Sequence, residues 1–401
     1  MPLGWIDFSR SDRNKVLNVL ELLSEQGTVD ELGIAPIRDG FADIFFPGTS
    51  TVQTRAKYFF LVPYALKEVE QSKKSELKQM MEELDSLERE CCGILLEKEK
   101  DAEGIIGRRS YRQGGWVKRP PSSSYWAGLR SYGFFTAKSF SLMRYLEYLR
   151  SMKQQRLELG KLGNRNDEST EDSDDLDAGR FSRRQFWNLP TYEPGWKENL
   201  SMRLTPEEGQ FLKKQIICHF PGTIMAYILK QGLASVIEAD SFRELGGLIH
   251  LFPEKNREDY QLAYQAAEFI HILQTVYNLA ISQGENQRAR EQWEEAAPYL
   301  KEVAEIDLDR IHGRLLAGNV GLWTFLKETR IPMAQGDVAE LTRLICARER
   351  RLKLDRAKTS HPEKYDPQEW YGIDRLDYRY SSARVIMRDI FESEGFYAES
   401  E

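Results

Sequence analysis

The side chains best suited to chemistry lie in one basic stretch of the chain. Residues 108–156 contain eleven lysines and arginines but a single acid, Glu147, so this region carries +10 while the whole 401-residue chain carries −7. Lysine and arginine bind phosphates by releasing counterions, whatever the base sequence. This charge asymmetry therefore predicts a contact with nucleic acid.

Aromatic and hydroxyl side chains alternate with these charges. Aromatic rings can stack on unpaired bases, and serines at a helix start offer hydroxyls and free backbone N–H groups to a phosphate. Trp126 would stack on a base or buttress the helix. Tyr125, Leu129 and Tyr132 repeat at helical spacing and are expected in the core. The predicted nucleic-acid-binding residues are Arg108, Arg109, Arg112, Lys118, Arg119, Ser122, Ser123, Ser124, Trp126 and Arg130.

Two other interpretations of the same stretch stay open. The basic residues could dock on an acidic protein partner, or they could form a plain surface that faces the rest of the chain, which carries −17. An acidic run at 167–177, DESTEDSDDLD, reads as a solvated linker. Such a run could also mimic phosphates and compete for the basic region.

A second constellation carries the residue types of a metal site. Glu302, Glu305, Asp309 and His312 are spaced so that one helix would present them on one face. A carboxylate–histidine di-metal site needs partner acids from other helices, and no second ExxH or DxxH occurs. We therefore expect an ordinary charged helix face here and no metal.

A third pair, Arg243 and His250, has a spacing found in helical nucleotide-binding (HEPN-type) ribonucleases. The two glycines between them would weaken a helix, so a structural histidine is the expected role. No Gly-rich phosphate loop, nucleophile elbow or zinc-protease motif is present. We predict a non-catalytic protein without a cofactor, with a metal-dependent or HEPN-like nuclease as the alternative.

The cysteines and the hydropathy pattern bear on location. Four cysteines without CxxC spacing argue against a zinc finger and fit a reducing cytoplasm. The first residues lack the basic start and apolar run of a signal peptide. Polar residues recur through 261–281 at helical spacing, which indicates an amphipathic helix packed within a protein and no membrane span.

The hydrophobic periodicity predicts a mainly α protein. A helical domain would occupy residues 1–160, with a small winged-helix-like element at about 105–135. An acidic linker at 161–180 would separate it from a C-terminal helical bundle, 181–401. The expected helices of this bundle are 205–231, 238–250, 258–282, 285–296, 298–316, 336–357 and 380–392.

Several stretches resemble a bacterial family of unknown function. They are GWIDFSRSDRNKVLNVL, the segment FFPGTSTVQTRAKYF, KRPPSSSYWAGLRSYG and, more loosely, RLDYRYSSARVIMRDIF. Members of this family are associated with anti-phage defence islands, beside large helicases and phospholipase-D-like nucleases. The resemblance implies a component of a multi-gene system of the Druantia kind, and it supplies no catalytic residues.

Together these observations predict a non-catalytic subunit of a bacterial anti-phage complex. It would bind DNA through residues 108–156 and present its acidic helical half to a helicase or nuclease. A protein scaffold that does not bind nucleic acid is the remaining alternative.

Overall fold

The protein is mainly α-helical, as predicted. A computed structural model describes residues 30–163, 186–190, 195–316 and 318–396, with side chains up to residue 155 in the helix that ends at 163. The α-helices are α1 (Ala35–Phe45), α2 (Tyr58–Gln71), α3 (Leu77–Lys98), α4 (Arg108–Arg112), α5 (Pro121–Ser131), α6 (Leu142–Gly163), α7 (Pro206–His219), α8 (Ile224–Gln231), α9 (Glu254–Ile281), α10 (Gln287–Ala296), α11 (Leu300–Ala304), α12 (Leu308–Leu315), α13 (Val320–Gln335), α14 (Val338–Lys353) and α15 (Tyr380–Ser393).

The predicted winged-helix-like element at 105–135 is not confirmed. In the described ranges, β-pairing is limited to one isolated bridge between Phe135 and Trp187. A wing needs a β-hairpin, but the Gly114–Gly115 turn folds back onto the end of α4 instead. The Gly115 N–H donates to the Ser110 carbonyl at 2.8 Å, so the chain closes a helix end where the hairpin was expected.

The chain divides into two compact units, each built from two segments. One contains residues 1–41 and 260–376, and the other contains residues 42–259 and 377–401. The acidic linker predicted at 161–180 lies outside the described residues from position 164 onward. The domain boundary predicted there therefore stays a prediction.

The unit formed by 42–259 and 377–401 has an aromatic core around α2. Nearly every residue from Tyr58 to Leu66 is buried, because this run is apolar on all faces of the helix. The Phe59 ring contacts the rings of Tyr125 and Tyr132 at centroid distances of 5.1 and 5.3 Å. As the helical spacing predicts, Tyr125, Leu129 and Tyr132 are completely buried.

Two buried ion pairs in the same unit join residues far apart in sequence. The Arg55 guanidinium binds the Asp389 carboxylate at 2.9 Å, and the Lys57 ammonium binds Glu208 at 2.7 Å. Asp389 also accepts the Ala56 backbone N–H at 2.7 Å. Removing one partner of such a pair would leave an uncompensated buried charge, so α7 and α15 are integral to this unit.

In the other unit, the second half of α9 is buried on all sides. Asn278 on this helix holds the loop at 366–376, because it donates to the Tyr371 carbonyl at 2.9 Å and accepts its N–H at 2.7 Å. Asn286, the N-cap of α10, donates to the Pro367 carbonyl of the same loop at 2.9 Å. Of the predicted polar residues, Asn278 therefore binds backbone in this half of the helix. Within the described part of the chain, no helix is long and apolar enough to cross a membrane.

Several predicted helices differ in extent. The prediction of one helix over 205–231 is wrong, because Phe220–Gly222 separates α7 from α8, and 238–250 is a short 3-10 helix, Glu244–Leu251. Helix α13 was not predicted. The sequence also predicts a helix near Ser9–Gly27, from the capping-box spacing of Ser9 and Asp12 and the apolar face that follows, and this segment lies outside the described residues.

Candidate nucleic-acid interface

Four of the predicted contact residues form an exposed cationic segment. Arg109 and Arg112 project from α4, three residues apart, and Lys118 and Arg119 lie in the loop that leads to α5. No hydrogen bond or ion pair joins any of these four side chains to another residue that the structure describes. Residues 108–119 contain no acid, so we call this segment, with its four free cations, the basic surface.

The other two predicted arginines hold backbone. Arg108 is half-buried and donates to the Ala102 carbonyl. Arg130 donates to the Lys138 carbonyl at 2.9 Å, and burial lowers the pKa of its guanidinium. Both groups position neighbouring turns, which leaves them less available to an external phosphate than the four exposed cations.

A carboxylate from α3 occupies the start of α5. The Ser122 N–H donates to Glu88 Oε1 at 2.5 Å, and the Ser122 hydroxyl donates to Glu88 Oε2 at 3.2 Å. Burial raises the pKa of Glu88 to about 8, although both hydrogen bonds favour its charged form. Free N–H groups at a helix start need acceptors, and here the carboxyl group of Glu88 takes that position.

The three serines therefore differ in environment. Ser122 and Ser124 are buried, while Ser123 is exposed at the end of the helix nearest the basic surface. Only Ser123 has a hydroxyl that a solvent-side phosphate could reach without a change in packing.

Trp126 packs inside an aromatic cluster. Its ring lies 4.7 Å from Phe135 and 5.9 Å from Tyr145, between centroids, and its indole N–H donates to the Phe140 carbonyl at 3.0 Å. Of the two roles expected for Trp126, buttressing the helix is the one this packing serves. Stacking on a base would require the ring to leave the cluster.

Sequence reasoning missed two residues that shape the interface. Arg89 on α3 donates to the Gly114 carbonyl at 2.9 Å and holds the turn after α4. Glu88 anchors the start of α5. Both lie outside the basic region, and neither has a sequence signal that distinguishes it from the other charges of α3.

The second constellation is not on one helix. The chain leaves α11 at Ala304 and starts α12 at Leu308, because the Asp307 carboxylate caps the Arg310 N–H at 2.8 Å. Asp309 binds Lys327 at 2.6 Å, and His312 stacks on Trp323 at 4.5 Å. Across the described ranges, no cluster of three histidine, cysteine or acidic side chains could hold a metal ion.

Arg243 immediately precedes the 3-10 helix Glu244–Leu251, and His250 lies within it. Both side chains are exposed. A 3-10 helix has three residues per turn and uses i to i+3 hydrogen bonds. The α-helical cleft geometry that the ribonuclease spacing presumes is therefore absent at this described segment.

Comparison with known protein families gave a match to the N-terminal part of the chain. Residues 1–182 match the model of a family of unknown function (DUF6361), which includes the basic surface and α1 to α6. No curated protein and no solved structure gave a match. The family resemblance seen in the N-terminal motifs is thus confirmed for this part of the chain, and it brings no established activity with it.

Proposed function

We propose that this protein is a non-catalytic subunit of a bacterial anti-phage complex, which binds DNA through the basic surface and docks on a helicase or nuclease. The observation that carries the DNA-binding part is the set of free cations at Arg109, Arg112, Lys118 and Arg119. A basic surface that only balanced the acidic remainder would pair its charges with nearby acids. These side chains point to solvent without such pairs.

The mechanism is a phosphate clamp. Arg109 and Arg112 would bind phosphates from one side of the Gly114–Gly115 turn, and Lys118 and Arg119 from the other. Arg89 keeps the turn closed. From the winged-helix-like element we retain only the helix, α5, whose exposed Ser123 can add a hydroxyl contact.

A salt titration tests the clamp. Binding of the full chain to DNA is measured against salt for the wild type and for Lys118→Ala/Arg119→Ala. Two lost phosphate contacts should flatten the log–log slope by about two units. Arg203→Ala/Lys230→Ala is the matched control, since both side chains are exposed cations that do not belong to the basic surface. An unchanged slope in the first variant, or an equal change in the control, contradicts the proposal.

The docking part rests on a second observation, and it also supports the scaffold alternative. Leu316, Val320 and Leu354 are 86, 76 and 73 % exposed. Arg351 joins the ends of α13 and α14 by donating to the Gly321 carbonyl at 3.4 Å. Leu316 and Leu354 adopt φ values of +50° and +52°, a region of backbone conformation that favours glycine over residues with a side chain. Exposed leucines at two such positions indicate a surface that binds a partner.

The side chains around Leu316, Val320 and Leu354 favour an acidic, leucine-rich segment of the partner. Exposed Arg350, Arg351 and Arg356 flank the leucines and would attract carboxylates. Co-expression with the helicase or nuclease of the same gene cluster, followed by purification after nuclease treatment, tests it. Leu354→Asp should abolish co-purification, whereas Ile331→Asp, at an equally exposed site on α13, should not. Equal retention in both variants contradicts docking here.

A further inference from the structure

We infer that the nucleic acid bound by the basic surface is a double helix, held by its phosphates without reading the bases. This inference rests on the proposed function and adds the class of ligand. It follows from the positions of the aromatic rings and of α5 beside the four cations.

Single-strand sites combine cationic grooves with exposed aromatic rings on which bases stack. Residues 105–140 are all described and contain eight aromatic side chains, none of which is exposed. Five of them, namely Tyr125, Trp126, Tyr132, Phe134 and Phe135, are buried in the core. The aromatic residues that alternate with the charges in sequence therefore point away from the surface that the charges form.

The two aromatic residues nearest the cations are also committed to internal packing. Trp116 lies against Gly107, where an added Cβ would meet the ring at 2.6 Å and where φ is +90°. Tyr111 places its hydroxyl against Gly93, and the Arg89 guanidinium covers its ring at 5.8 Å. Both rings are thus partly covered by the protein, and neither is exposed in the way that a stacking platform for a base requires.

Helix α5 does not present a reading face either. Its exposed positions are Ser123 and Ala127, whose short side chains cannot reach base edges in a major groove. The N-terminal turn, where recognition helices carry base contacts, is occupied by the Glu88–Ser122 hydrogen bonds. The four exposed cations are therefore the groups left to bind DNA, and cations bind the phosphate backbone without distinguishing the bases.

A duplex suits such a surface better than a single strand. B-form DNA carries one negative charge per about 1.7 Å of axis and binds through counterion release with a slope of about −0.9 per contact, against about −0.7 for single strands. Four phosphate contacts would give slopes of about −3.6 and about −2.8 respectively. Without stacking, nothing compensates the single strand for its lower charge density.

The test compares three labelled probes: a short single-stranded DNA, the duplex formed with its complement, and a duplex of unrelated sequence. Affinity of the full chain is measured by fluorescence anisotropy over a range of salt. Both duplexes should bind equally, and more tightly than the single strand, with the difference growing as the salt concentration is lowered. Tighter or equal binding of the single strand, or discrimination between the duplexes, overturns the inference.

Variants separate this inference from the proposed function. Trp116→Leu removes the more exposed of the two indoles in residues 105–140 and should leave the duplex-to-single-strand ratio unchanged. A selective loss of single-strand binding would reveal stacking and overturn the inference. Its melting temperature shows whether the variant is folded, and Arg112→Ala should lower affinity for both forms. If no probe binds the wild type, the proposed function itself fails, which differs from binding with the wrong preference.

Discussion

Two adjacent stretches of the basic region differ in the exposure of their side chains. Residues 108–119 leave four cations in solvent without partners, whereas residues 121–135 bury most of their side chains. Both stretches contain the residue types of a nucleic-acid contact. The comparison shows that serine and tryptophan beside arginine can belong to the core, because the free N–H groups of a helix start need an acceptor and large rings fill the core.

The aromatic stretch is therefore the structural support of the cationic one. Glu88 holds the start of α5, and Tyr125 binds the segment after the FFPGTS motif by accepting the Thr54 and Arg55 N–H groups at 2.8 and 3.0 Å. Gly48 of that motif lets Tyr132 approach, since an added Cβ would meet its ring at 2.6 Å. Changes in the two stretches should thus separate stability from binding.

The largest expected effect is on stability, in the buried stretch. Trp126→Ala should lower the free energy of unfolding by about 3–5 kcal/mol, because it empties a volume surrounded by aromatic rings and removes a hydrogen bond. Chemical denaturation measures the loss.

Trp126→Phe provides a folded companion for this experiment and should lose less stability than the alanine variant. DNA affinity measured on folded Trp126→Phe should equal that of the wild type. A stable variant that fails to bind DNA would mean that Trp126 contacts the ligand, which would break the comparison.

The next effect is a pH dependence at Glu88. Its pKa rises from an ordinary 4.5 to about 8 on burial, so the folded protein retains a proton that the unfolded chain releases. Proton uptake by folded Glu88 therefore contributes most to the free energy of unfolding below about pH 4.5. This contribution falls as the pH rises towards 8, by on the order of 1 kcal/mol per pH unit. Denaturation at a series of pH values measures it.

Glu88→Gln should flatten this part of the stability curve, since glutamine still accepts the Ser122 N–H but carries no titrating proton. Glu97→Gln, at an exposed position of the same helix, serves as the control and should keep the slope. A wild-type curve that is level from pH 5 to 8 would show that Glu88 is charged at the start of α5 throughout.

The smallest effect is that of the exposed stretch on stability. Lys118→Ala/Arg119→Ala should change the free energy of unfolding by less than about 0.5 kcal/mol, because exposed side chains without partners contribute little. A matched thermal melt and DNA titration should then show lost binding with unaltered folding. A marked loss of stability would mean that these cations hold the fold, and the two stretches would no longer be distinct.

Much of the architecture could be predicted from local patterns. The mainly α class, the helices expected at 258–282 and 380–392, and the burial of Tyr125, Leu129 and Tyr132 follow from apolar spacing over several turns. The break after Ala304 was missed because it depends on a capping aspartate inside a charged run, where a continuous helix has nearly the same periodicity.

The charge of the basic region and its candidate cations could be predicted from composition, because cations a few residues apart in sequence are also close in space. Which of them face solvent was decided by tertiary packing. Arg108 and Arg130 turn to backbone carbonyls, Ser122 receives Glu88 from another helix, and Trp126 joins rings from residues 135–187. The carbonyl partners of Arg108 and Arg130 are local, but Glu88 and Trp187 come from distant parts of the chain. No local pattern encodes which side of a short helix such distant partners will cover.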